Sequence, residues 1–181
     1  MTSIAIQKGL DEFELDAGFT YLDNEPLDNV RTKQLYRERY LFVTNINNSH
    51  AQRSSITWRE AVRERLCLLT EDMQNRRVLN MIVDSMAVAM RPTVVSNSFL
   101  GVCSHVSLGS WSSIVPHTFA YIFSGCSDLK LIELVEPAHS QMVGLVTSNR
   151  DPLTPLAKAF MASATRFDPE PPKTKRPAMA D

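Results

Sequence analysis

Within residues 3–13 the apolar side chains Ile6, Leu10 and Phe13 recur at the spacing of one helical face, behind Thr2 and Ser3 at the capping end. This predicts a short amphipathic helix. Residues 15–21 read as a strand, and residues 24–29, with Pro26, as a loop. Residues 35–44 predict a second strand in two parts. Tyr36-Arg37-Glu38-Arg39 alternates charge and bulk, whereas Tyr40 to Val43 is continuously apolar. A strand of that kind enters a buried region from an exposed end, as one crossing between two lobes would.

Residues 45–55 are polar and hinge-like, and Thr57-Trp58-Arg59-Glu60 has the form of a capping box that opens a helix. Residues 66–69 predict a short buried strand. From about Met73 a longer helix carries Leu79, Ile82, Val83, Met86 and Met90 on one face and is expected to end at Pro92. A strand over 93–95 follows, and Ser96-Asn97-Ser98 offers three N-caps for a helix with Phe99, Val102, Cys103 and Val106 inward and Gly109 at its C-terminal turn. Strands over 112–115, 129–135 and 141–147 follow, and Thr154-Pro155 opens a last helix to about Ala164. Strands alternating with helices predict an α/β fold with a largely parallel sheet. Four of the ten prolines fall within residues 168–181 without an apolar period, so 166–181 is expected to be a disordered tail.

The length of 181 residues suits one domain or two small ones. With 19 basic and 20 acidic residues the formal charge is −1, which argues against DNA contact by this segment itself. No apolar run approaches the roughly 20 residues that a bilayer requires, so no membrane partner is expected. The N-terminus lacks the charged and apolar regions of a secretory leader. The cysteines Cys67, Cys103 and Cys126 are odd in number with no C-x-x-C, which suits a reduced, cytoplasmic chain.

Several segments, in this order, carry a resemblance. They are Ser3-Ile4-Ala5-Ile6-Gln7-Lys8-Gly9-Leu10 running into Phe13-Glu14-Leu15-Asp16-Ala17-Gly18, and Leu35-Tyr36-Arg37-Glu38-Arg39 before the apolar strand. Further on come Val106-Ser107-Leu108-Gly109-Ser110-Trp111-Ser112-Ser113-Ile114-Val115-Pro116 and Leu134-Val135-Glu136-Pro137. Together, over roughly residues 3–165, the chain resembles the C-terminal effector-binding (substrate-binding) region of LysR-type transcriptional regulators.

That resemblance implies an α/β fold of two periplasmic-binding-protein-like (type 2) lobes joined by crossover strands. Residues 1–41 and 136–165 would form the first lobe and 42–135 the second, with a small-molecule effector between them. It implies a homodimer or homotetramer and no cofactor, with DNA bound only through an N-terminal helix-turn-helix that has no counterpart in this chain. The first strand, helix and strand of the first lobe also lack counterparts. The first lobe is therefore expected to be incomplete, exposing an unpaired edge and apolar surface, and the sequence to be either a fragment of a longer regulator or a truncated product.

Met73-Gln74-Asn75-Arg76-Arg77 is the most informative local feature. Two arginines in a first helical turn oppose the macrodipole, so something negative should compensate them. An anionic effector held by Gln74, Asn75 and Arg76 would do so. Glu71 and Asp72 just upstream would do so as well, leaving the arginines in solvent. Ser96 and Asn97 are candidates to present polar groups to the same cleft, or are plain caps. By the resemblance Thr2 and Ser3 match the helix start that contacts the effector from the first lobe. Tyr21 ends a strand facing the cleft and reads equally as a packed core aromatic.

No catalytic constellation competes with this reading. Cys103 and His105 sit at i and i+2 on a helix and face apart, and Cys103 shares the apolar face with Phe99 and Val106. His50, His105, His117 and His139 are scattered, with no metal-ligand spacing. Glu12, Glu14 and Asp16 suit a solvated helix end, and Lys173, Lys175 and Arg176 a solubilising tail. The second reading is a stand-alone solute-binding protein of the same two-lobed fold, and a weaker third is an enzyme of a related α/β fold.

Overall fold

The structure is a computed structural model and describes residues 3–23, 27–120 and 127–166. Its organising element is β2 (Val30–Asn45), a 16-residue strand that serves two sheets in turn. Up to Arg39 it pairs antiparallel with β8 (Ser140–Ser148), and from Tyr40 it pairs antiparallel with both β6 (Ser113–Pro116) and β7 (Leu129–Val135). β7 and β8 run in the same direction along β2, end to end, so residues 129–148 form a second crossover interrupted by the segment 136–139.

The first-lobe sheet is β1 (Ala17–Tyr21), β8 and the first part of β2, antiparallel throughout. In the second lobe β4 (Cys67–Leu69) pairs parallel with β5 (Val94–Ser96), and a parallel bridge from Leu66 to Ser112 joins them to β6. There β3 (Ser55–Thr57) pairs parallel with β7. The largely parallel sheet expected from the alternation of elements therefore does not form. A parallel neighbour needs a long crossover connection, usually helical. The two crossovers, separated in sequence by the second lobe, instead lie side by side antiparallel, and β2 enters the second sheet against the direction of its neighbours β6 and β7.

The period of two along each strand sorts the second lobe into two cores. Tyr40, Phe42, Leu68, Ile114 and Ile132 face α2 (Trp58–Ala61) and α3 (Gln74–Ser85), packing on Trp58, Leu79, Ile82 and Val83. Val43, Cys67, Leu69 and Val115 face the opposite way, onto Val102 and Val106 of α4 (Phe99–Ser107). In the first lobe α1 (Ser3–Asp11) sets Ile6 and Leu10 on Val146. The closeness is enforced by glycine: a Cβ on Gly18 would come 2.5 Å from Ile6 Cγ2. A groove between α5 (Pro155–Ala164) and the sheet is lined by Phe19, Leu35, Val143 and Phe160. Phe19 and Phe160 remain exposed there.

The capping signals predict starts better than ends. Thr57 Oγ1 accepts from the Glu60 backbone N–H while Glu60 returns a bond to the Thr57 N–H, although the helix lasts a single turn. Thr154 caps α5, and Ser98, the last of the three candidates, caps α4. Gly109 supplies the positive φ, 84°, at the end of α4. α3, however, stops at Ser85 and not at Pro92. Ala87 turns to φ 52° and donates to the Asp84 carbonyl, so a non-glycine residue provides the turn and Met90 lies beyond the helix. α1 similarly ends at Asp11. Phe13, at φ 64°, is 77% exposed under the Arg150 guanidinium instead of joining Ile6 and Leu10.

Phe42 is fully buried where β2 is flanked by both β6 and β7. Phe42→Ala should cost about 3–5 kcal/mol of folding stability in urea denaturation. A loss under about 1 kcal/mol would show that the core collapses around the site and that this packing does not hold the strand in the second sheet.

Candidate functional site

On β2 the residues Tyr36, Glu38 and Tyr40 are two apart and share a face just before the strand changes sheets. Glu38 is only 5% exposed. Tyr21, at the end of β1, donates a short hydrogen bond from its hydroxyl to Glu38 Oε2. Among the described residues Glu38 Oε1 has two long contacts, from Tyr36 Oη at 3.4 Å and Thr118 Oγ1 at 3.5 Å. Around these groups lies a cleft of about 230 Å³ lined by Phe19, Thr20, Tyr21, Tyr36, Glu38 and Val143 and, from the first turn of α3 in the second lobe, Gln74. Both lobes therefore contribute to its wall.

The electrostatics of the cleft are those of a buried carboxyl facing phenols. Burial pushes the Glu38 carboxyl above its ordinary value, and the hydrogen bonds from Tyr21, Tyr36 and Thr118 pull partly against that. Tyr36 is pushed up to about 12, first by burial and then by the negative charge of Glu38. Burial also raises Tyr21 and Tyr40, with neighbouring Tyr40 and Glu38 adding to the effect at Tyr21. All three tyrosines stay neutral donors at physiological pH.

Of the residues singled out from sequence, Tyr21 and Gln74 meet at this cleft. The ring of Tyr21 also packs against the second-lobe core, so its two readings are both realised. Ser3 is one step behind, its hydroxyl 2.8 Å from that of Thr20, and Thr2 lies outside the described residues. Asn75, Arg76, Ser96 and Asn97 do not line the cleft. Arg76 is 3% exposed, donates from Nη1 to the Leu69 carbonyl and from Nε to Asn80 Oδ1, both at 2.9 Å, and has Glu71 at 3.5 Å. Arg77 donates at 2.6 Å to both the Asp72 carbonyl and Gln74 Oε1. The upstream segment thus supplies the negative partners that the macrodipole argument requires. Asn75 Nδ2 is buried with no hydrogen-bond partner among the described residues. Ser96 Oγ accepts from the Ser98 N–H and also donates to the Ser98 carbonyl, and Asn97 is exposed beside it.

Glu38, Tyr36 and Phe19 escaped the sequence reading. Their signal was present in the period of two: an acid between two tyrosines on the face that becomes the second-lobe core at Phe42. Elsewhere, Cys103 is half-buried against the Val102 and Val106 cluster and His105 Nδ1 lies 2.8 Å from the Gly101 carbonyl, so the pair faces no common point. Cys126 lies outside the described residues. Among those residues no group of three or more His, Cys, Asp or Glu side chains is placed to hold a metal ion. No helix among them is long and apolar enough to cross a membrane.

Two α/β lobes, two crossover strands and a cleft walled by both define a ligand-binding module of the periplasmic-binding-protein-like type 2 class. Residues 1–168 match the family described as the LysR substrate binding domain, and the chain belongs to that family. It is the ligand-sensing, effector-binding domain of a LysR-type regulator.

Solved structures agree in fold. The effector-binding domain of QuiR in complex with shikimate is 18% identical with a TM-score of 0.70, over 92% of this chain and 78% of that one. The reduced form of the OxyR regulatory domain from Pseudomonas aeruginosa is 21% identical with a TM-score of 0.70, over 91% and 79%. HinK, a LysR family transcriptional regulator from Pseudomonas aeruginosa, is 18% identical with a TM-score of 0.69, over 91% of this chain but 56% of HinK. The chain thus spans about half the length of that regulator. No curated protein matches the sequence.

The raised Glu38 carboxyl fixes a pH dependence. An acid whose folded value lies above its unfolded one leaves stability intact below the unfolded value, near 4.5, and removes it as pH rises through the folded value. Glu38→Gln, which keeps an acceptor for Tyr21, should match the parent near pH 4 and be more stable than it near pH 8. Urea denaturation at both pH values checks this. A difference independent of pH would show that burial does not hold the carboxyl up.

Proposed function

We propose that a small effector binds in the cleft between Tyr21 and Glu38 of the first lobe and Gln74 of the second, and that occupancy biases how the lobes sit. In this reading residues 1–41 and 136–165 act as one lobe and 42–135 as the other. The shift is passed through a homodimer or homotetramer in the cytoplasm to DNA-binding heads on a longer regulator, so that effector level controls transcription. The observation that carries it is the convergence of side chains from both lobes on one cleft beside the point where β2 changes sheets.

The anionic effector expected from Arg76 and Arg77 loses its main support. Both guanidinium groups are engaged by Leu69, Asn80, Glu71, Asp72 and Gln74, and the cleft presents a carboxylate. Arg76 serves instead to fasten the start of α3, and with it Gln74, to the end of β4.

Thermal-shift screening of the 181-residue chain against a metabolite panel, followed by calorimetric titration of the hits, tests the location. Tyr21→Ala and Gln74→Ala should each weaken a hit by about tenfold or more, equivalent to about 1.4 kcal/mol. A hit that binds both variants as tightly as the parent would place the effector elsewhere.

A further inference from the structure

Glu38 is a buried acid without a cation. Among the described residues its partners are two phenols and a threonine hydroxyl, none of its ion-pairing neighbours is a lysine, arginine or histidine, and no basic side chain lines the cleft. Its two oxygens differ. Oε2 is engaged by Tyr21, but contacts of 3.4 and 3.5 Å at Oε1 lie at the outer limit of hydrogen bonding and leave that oxygen with acceptor capacity to spare. The cleft adds three aromatic rings, Phe19, Tyr21 and Tyr36. A carboxylate beside aromatic faces is an environment that stabilises a positive charge twice over, through an ion pair and through the ring quadrupoles.

We propose that the effector is a small primary ammonium compound, whose N–H groups donate to Glu38 Oε1 while its cationic end lies against the rings of Tyr21 and Tyr36. This names the ligand class for the cleft described above and rests on that cleft being the effector site. The size agrees, since about 230 Å³ is below the roughly 300–1,000 Å³ of sites for drug-sized ligands. The chemistry also agrees with the energetics of the empty cleft: an uncompensated buried carboxylate is costly, and an arriving cation removes that cost whereas an arriving anion adds to it.

Two sets of matched probes test this by calorimetry on the full chain: benzylamine, benzyl alcohol and benzoate, and butylamine, butanol and butyrate. The amines should bind at least about tenfold tighter than their alcohols and carboxylates. Glu38→Gln should remove that advantage, bringing each amine to within about twofold of its alcohol. Should Glu38→Gln fail to fold, the parent protein gives the same information. Amine affinity should fall relative to alcohol affinity as pH is lowered and Glu38, whose carboxyl burial pushes upward, takes up its proton.

The proposal is overturned if neither amine binds at millimolar concentration, if an alcohol or carboxylate binds as tightly as its amine, or if Glu38→Gln leaves amine affinity intact. An alcohol or carboxylate that binds and is weakened by Tyr21→Ala would overturn the ammonium assignment while sparing the cleft. Binding insensitive to Glu38→Gln, Tyr21→Ala and Gln74→Ala alike would overturn both.

Discussion

Everything in the molecule depends on one strand being shared by two sheets. Backbone N–H and C=O groups taken from water must be paired, so a strand can leave one sheet only where a second stands ready to take over its hydrogen bonds. β2 makes that exchange between Arg39 and Tyr40, with Ser140 opposite Arg39 on one side and Pro116 opposite Tyr40 on the other. Proline has no N–H to give, and it is accommodated there as the last residue of β6. The antiparallel second crossover leaves β2 over the same stretch, through residues 136–139, and the Trp58 indole donates to the Pro137 carbonyl at 3.1 Å to tie that link to the second lobe. The cleft lies where it does because pairing ceases to be continuous there.

That junction also explains a buried acid on a strand whose neighbours are apolar. Alternation puts Tyr36, Glu38, Tyr40 and Phe42 on one face, and the same face passes from cleft wall to closed core within six residues. At Phe42 the environment is dry and filled, at Tyr36 half-open, and Glu38 sits at the transition. Its position, more than its identity, gives it chemistry.

The fold was legible in the sequence where the signal was local. Capping at Thr57, Ser98 and Thr154, the positive-φ glycine at 109 and the two-part pattern of 35–44 all depend on residues close in sequence, and they mark the elements found. What failed was what depends on the other lobe. Strand direction cannot be read from alternation when β7 and β8 pair antiparallel with a strand that the whole second lobe separates from them in sequence. The ends of α1 and α3 were hidden because Phe13 and Ala87 adopt conformations for which glycine is the usual marker. The arginines of α3 carried a real electrostatic demand, but the answer came from Glu71, Asp72 and backbone carbonyls, which lie within seven residues of them. Tyr21 and Gln74 were found and Glu38 was not, since its partners Tyr21 and Thr118 are remote from it in sequence.

These features bear on how a cleft of this kind senses a ligand. A ligand shifts an equilibrium between lobe arrangements only by the difference in its affinity for them. Tyr21, Tyr36 and Glu38 belong to the strands of the first lobe, so they keep their mutual geometry however the lobes sit, while Gln74 and the start of α3 belong to the second. In the proposed reading, bringing α3 closer would strip water from Glu38, raising the cost of its charge without ligand and the value of a compensating charge with one. One carboxylate would thereby oppose closure without ligand and favour it with ligand. No change of fold is needed for such a switch, only a buried charge whose hydration depends on a lobe it is not attached to.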